Sequence, residues 1–104
     1  MTTDLKTARK VLKPFIVAAG YKFAAGSKDW GGGEVATAEV ASFDKSNGRY
    51  RIGCGVDYRL PQEKRLEIWN SYGARLVADL EKAGFEIDLE TFGTYQNFIV
   101  KLGA

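Results

Sequence analysis

The chain contains no histidine. That removes the commonest general base and the commonest metal ligand from its chemistry. It has a single cysteine, Cys54, so no disulfide can close within the chain, and a reducing, cytoplasmic setting is expected. No apolar run approaches the ~20 residues that cross a bilayer, so no membrane partner is expected. The most apolar stretch, Val11 to Gly20, is broken by Lys13 and Pro14 and reads as a core helix rather than a leader. Pro61, the other proline, marks the start of a second helix.

What is present is an ordinary globular composition. The 104 residues are 45% hydrophobic and 27% charged, which predicts one domain spanning residues 1–104. The net charge of +2 is small, but it is unevenly spread. Residues 1–33 carry a net +4, residues 34–59 are neutral, and residues 60–104 carry a net −2.

Two junctions share one pattern. Ala18-Ala19-Gly20-Tyr21 and Lys82-Ala83-Gly84-Phe85 each end a helical period on a glycine and begin an alternating strand. A shift of 64 residues lays Leu12, Ile16, Ala19 and Gly20 on Leu76, Leu80, Ala83 and Gly84. The first helix is predicted over Thr3 to Ala19, with Thr3 as N-cap and Leu5, Ala8, Leu12, Ile16 and Ala19 on its apolar face. Lys6, Arg9, Lys10 and Lys13 share its adjoining face. The second is predicted over Gln62 to Ala83, with Leu66, Trp69, Leu76, Leu80 and Ala83 as its stripe and Gly73 upon it.

Between them, Tyr21 to Phe23 reads as a short strand and Ala24 to Gly33 as a loop presenting Trp30 beside three glycines. No helix follows those glycines, so they do not form a phosphate cradle. Asn47-Gly48 reads as a two-residue type I′ hairpin turn. Counting back from that turn sets Asp44 opposite Arg51, Phe43 opposite Ile52, Ala41 opposite Cys54 and Glu39 opposite Val56. The core face would then hold Thr37, Glu39, Ala41, Phe43, Tyr50, Ile52, Cys54, Val56 and Tyr58. The other face would hold Ala36, Ala38, Val40, Ser42, Gly53 and Gly55, almost without relief. A second hairpin follows, Phe85 to Leu89 and Asn97 to Leu102, turning near Phe92-Gly93-Thr94. The order α-β-β-β-α-β-β predicts an α+β two-layer sandwich, an antiparallel sheet with two helices on one face.

The chemistry-bearing residues are few. Cys54 lacks a histidine to activate it and falls on a core strand face, the setting of a packing cysteine. Glu86, Asp88 and Glu90 alternate along one strand at ~7 Å spacing, too far apart to wrap one cation, so no metal and no cofactor are expected. Glu39 on a core face would need a partner or a shifted pKa, and with Tyr58 it marks an alternative small-ligand or enzyme site.

The leading expectation is therefore a non-enzymatic binding or regulatory protein, of the kind found among phage accessory proteins. It would act through protein contacts, with a second copy as the first partner considered. Its contact surface would be the smooth patch of Ala36, Ala38, Val40, Ser42, Gly53 and Gly55, with Trp30 as an anchor. The alternative is a nucleic-acid surface built from Lys6, Arg9, Lys10 and Lys13 and extended by Arg49 and Arg51.

Overall fold

The first helix is set by its ends. In the computed structural model, which describes residues 4–26, 36–92 and 95–102, α1 runs Leu5–Ala19. Its N-cap is Asp4, one residue beyond the expected Thr3, and the Asp4 carboxylate accepts from the Thr7 backbone N–H at 2.7 Å. Ala8, Leu12, Ile16 and Ala19 are buried, as their spacing requires. Pro14 sits inside the helix on its exposed side, where a missing N–H leaves no buried group unsatisfied.

The helix stops in a paired-bond motif. Gly20 takes φ 115°, its N–H donates to the Val17 carbonyl, and the Tyr21 N–H donates to the Ile16 carbonyl at 3.2 Å. The other junction repeats these bonds at the 64-residue offset. Gly84 takes φ 96°, its N–H donates to Glu81, and the Phe85 N–H donates to Leu80 at 3.0 Å.

β1 (Lys22–Ala24) follows, then β2 (Ala36–Asp44) and β3 (Arg49–Val56). The second helical run is α2 (Gln62–Ile68), a π-helical turn (Trp69–Gly73) and α3 (Ala74–Lys82). β4 (Glu86–Phe92) and β5 (Tyr95–Lys101) complete a five-stranded sheet in the order β1-β2-β3-β5-β4. β2, β3, β5 and β4 pair antiparallel, but β1 joins the edge parallel to β2, so the sheet is mixed rather than wholly antiparallel as expected. Both helical runs pack on one face, giving the two-layer α+β sandwich. None of the described helices is long and apolar enough to cross a membrane.

The π-turn moves the helix stripe. Its wider turns accommodate an extra residue, so the apolar face is displaced on the N-terminal side. Trp69, Gly73, Leu76 and Leu80 are buried as expected, but Ile68 takes the place of Leu66, which is 44% exposed. Ala83, at the helix end, also faces solvent.

The hairpin departs furthest from the sequence reading. Asn47 does not take the positive φ that a type I′ turn demands; Gly48 alone does, at 68°. The Asp44 carboxylate accepts from the Ser46 hydroxyl at 2.9 Å and from the Asn47 amide at 2.6 Å. Those bonds close residues 45–47 into a 3₁₀ turn, so Asp44 faces Arg49 across four residues rather than Arg51. That change is an even shift and moves no side chain to the other face. A bulge between Ser42 and Asp44 then adds one residue, an odd shift that turns the rest of β2 over. Ala38 accordingly faces Cys54, Val40 faces Ile52, and Glu39 faces Gly53.

Three expectations are corrected by this. Ala36, Ala38 and Val40 lie in the core beneath the helices, at 5%, 0% and 0% exposure. Glu39 lies on the opposite face and is not a core carboxylate. Phe43, the bulged residue, is 46% exposed.

Candidate binding face

The helices cover the sheet face built from Ala36, Ala38, Val40, Tyr50, Ile52, Cys54, Phe98 and Val100. Strand alternation sends the remaining side chains to the other face, over which no described helix lies. Pairing registers arrange that face in rows running across the strands. One row reads Glu86, Lys101, Arg49 and Asp44; the next reads Asp88, Ile99, Arg51 and Ala41. The third crosses Asn97, Gly53, Glu39 and Ala24, and the fourth crosses Gly55, Thr37 and Lys22. Ala24 and Thr37, at 0% and 4% exposure, and Gly55 are buried, so the exposed part of the face lies over the first two rows and β4.

Small residues keep the middle of this face low. A Cβ on Gly53 would meet only the Asn97 side-chain oxygen at 3.4 Å and the Glu39 carbonyl at 4.0 Å. Ile99 is 4% exposed, enclosed between the Arg51 and Asp88 positions on its neighbouring strands. Around it stand charges in separate files: Arg49 and Arg51 on β3, Glu86 and Asp88 on edge strand β4. The ion pairs Arg59–Asp57, Lys64–Glu67 and Arg75–Asp79 lie away from this face.

Glycine and arginine thus stand on the face as the sequence suggested, but with different neighbours. The smooth patch does not exist as one surface: Gly53 and Gly55 face away from the helices, while Ala36, Ala38 and Val40 face toward them. Ser42, opposite Tyr50, is exposed where β2 approaches its bulge. Trp30 and the adjacent glycines lie outside the described residues.

The sheet also divides the basic residues. Lys6, Lys10 and Lys13 are exposed on α1, on the helical side. Arg9 donates from Nε to the Val40 carbonyl at 3.4 Å, and the Lys13 ammonium lies 5.5 Å from the centre of the Phe23 ring. Arg49 and Arg51 lie on the opposite face, so hairpin and helix do not combine into a single basic surface. The Glu39 and Tyr58 pairing also falls apart. β3 ends at Val56, and the turn held by Arg59 on Asp57 at 2.9 Å leaves Tyr58 78% exposed.

Cys54 is a core residue. Burial pushes its thiol up to about 12, so it carries little thiolate at neutral pH. The Tyr21 hydroxyl beside it is raised too, chiefly by burial. Among the described residues no three cysteine or acidic side chains cluster to hold a metal ion. An open groove of about 390 Å³ runs between α1 and α3, floored by Pro14, Phe15, Ala18 and Ala83 with Asp79 and Lys82 at its rim.

Sequence reasoning missed the juxtaposition of Glu86 and Asp88 with Arg49 and Arg51. Each pair's alternation was visible, but only the β3–β5 pairing places both on one face at matching levels. No protein-family model, curated protein or solved structure matches this chain.

Proposed function

We propose that this chain is a non-enzymatic protein-binding module whose contact surface is the open face of its sheet. The observation that carries the reading is the arrangement on that face: separate files of acid and base around a low centre at Gly53 and Ile99. Charge files of this kind give a partner register and orientation more than raw affinity. The exposed part of the face is small, so the contact it makes belongs with weak, transient interfaces. The fitting partner is a flat protein surface with complementary charge files, not a nucleic acid, whose phosphates would meet Glu86 and Asp88 beside every arginine. A single reduced thiol suits a reducing compartment, in which we place the protein.

The test uses Gly53→Arg. The space above Gly53 accepts a side chain, so the fold is retained while the centre of the face is filled. Tagged wild type, Gly53→Arg and Lys6→Glu are used to capture partners from the native host, with circular dichroism as a folding control. The expected result is a partner held by wild type and by Lys6→Glu and lost by Gly53→Arg. A partner lost by Lys6→Glu but kept by Gly53→Arg would overturn the reading.

A further inference from the structure

We infer that the partner of the open face is a second copy of this chain, docked about a two-fold axis that runs along β5. The inference rests on the reading that this face binds protein. In a two-fold contact the same patch meets itself, so each side must carry both halves of every complementary pair.

The row registers meet that requirement at two charged levels at once in one placement. When two sheets stack face to face, an axis lying between them and parallel to the strands exchanges the strands on either side of itself and preserves level along them. β5 lies between β3 and β4. An axis along β5 therefore sets β4 of one copy over β3 of the other. Glu86 and Arg49 are on one level, through Lys101; Asp88 and Arg51 are on the next, through Ile99. Glu86 then meets the partner's Arg49, and Asp88 meets the partner's Arg51. The Ile99 positions of the two copies face each other at the axis, each side chain already buried within its own chain at 4% exposure, so the charge pairs carry the contact.

Neighbouring placements oppose like charges or pair only one level: an axis between β5 and β4 sets Glu86 against the partner's Lys101 but Asp88 against the partner's Ile99. An axis along β3 sets Arg51 against Arg51. An axis between β3 and β5 sets Arg49 against the partner's Lys101. Along β5 the one like-charge contact is Lys101 with Lys101, at an exposed position with Glu86 of each chain beside it on the same row. Within one chain Asp88 and Arg51 stand two strands apart, ~10 Å, with Ile99 between them. Stacked sheets at ~10 Å separation leave room for these long side chains to meet across the interface.

The experiment is charge reversal with complementation, read as molar mass by light scattering. Four samples are compared: wild type, Arg49→Glu/Arg51→Glu, Glu86→Arg/Asp88→Arg, and an equal mixture of the two variants. The expected masses are two chains for wild type, one for each variant alone, and two for the mixture, since reversing both files restores every pair. Circular dichroism and thermal melts verify that the variants fold. Should one double variant misfold, the single reversals Arg51→Glu and Asp88→Arg, alone and as an equal mixture, carry the same comparison.

Wild type that remains a single chain at high micromolar concentration overturns the self-docking. If Gly53→Arg still abolishes capture of another host protein, the binding reading survives that outcome. A dimer that persists in both reversed variants, or a mixture that stays monomeric, overturns the axis along β5.

Discussion

Gly20 and Gly84 occupy equivalent junctions in different surroundings, and that difference predicts two distinct costs. Both have φ values, 115° and 96°, that side-chain-bearing residues rarely adopt. Forcing alanine into left-handed backbone costs about 1–2 kcal/mol. At Gly84 a Cβ would have nothing within 4 Å of it, so Gly84→Ala is expected to lose that amount alone. At Gly20 the added carbon would lie 3.0, 3.1 and 3.2 Å from three ring atoms of Tyr72. That ring has little freedom to retreat, because it packs edge-on against Tyr21 at 5.5 Å and Tyr21 is 2% exposed. Overpacking of this type adds ~1–3 kcal/mol, giving roughly 2–5 kcal/mol for Gly20→Ala. Urea unfolding followed by far-ultraviolet circular dichroism measures both variants. In the background of Tyr72→Ala the ring is gone, and the excess at Gly20 should vanish, which a double-mutant cycle isolates. If Gly20→Ala and Gly84→Ala agree within ~0.5 kcal/mol, the ring contact contributes nothing and the reasoning fails.

Ala38→Glu buries a carboxylate at a position with 0% exposure and should cost about 3 kcal/mol or more, whereas Glu39→Ala on the open face should cost under ~1 kcal/mol. Thermal melts rank the two, and the reverse order would restore the two-residue-turn register. Cys54 should resist Ellman's reagent in the folded protein at pH 8 and react fully in urea, its thiol being buried and pushed up to about 12; rapid stoichiometric reaction of the native chain would refute that placement. The Asn47 amide and then the Ser46 hydroxyl hold the Asp44 carboxyl below its ordinary 3.8. A lowered folded-state value stabilises above the unfolded value and is lost as pH falls through the folded one. Asp44→Ala should therefore flatten the acid limb of a urea-midpoint profile below pH 3.8, while Asp57, held low by Arg59, keeps its share. An acid limb unchanged in Asp44→Ala would show that these bonds do not persist in solution.

The elements readable from sequence were those fixed by local rules. The face of α1, both glycine stops and the 64-residue correspondence between them depend on bonds that span at most five residues. The π-turn was not readable, because Trp69 to Gly73 departs from α-helical winding with no proline or other local breaker ahead of Gly73. Gly73 offers a partial cue: a Cβ there would lie 2.7 Å from the Gln96 side-chain oxygen, a contact across the two layers.

Sequence by itself therefore determined the helices, the strands, their succession along the chain and the two-layer arrangement, since hydrophobic period and glycine stops act within a few residues. Tertiary structure decided which residues share a face. Asp44 closed the hairpin with a 3₁₀ turn, and a bulge at Phe43 inverted β2, moving Glu39 out of the core and Ala38 into it. Strand alternation has a period of two, so one unpaired residue reverses every assignment beyond it. The binding face depends on that parity and on the pairing of β3 with β5, two strands distant in sequence, whose register places Asp88, Ile99 and Arg51 on one line.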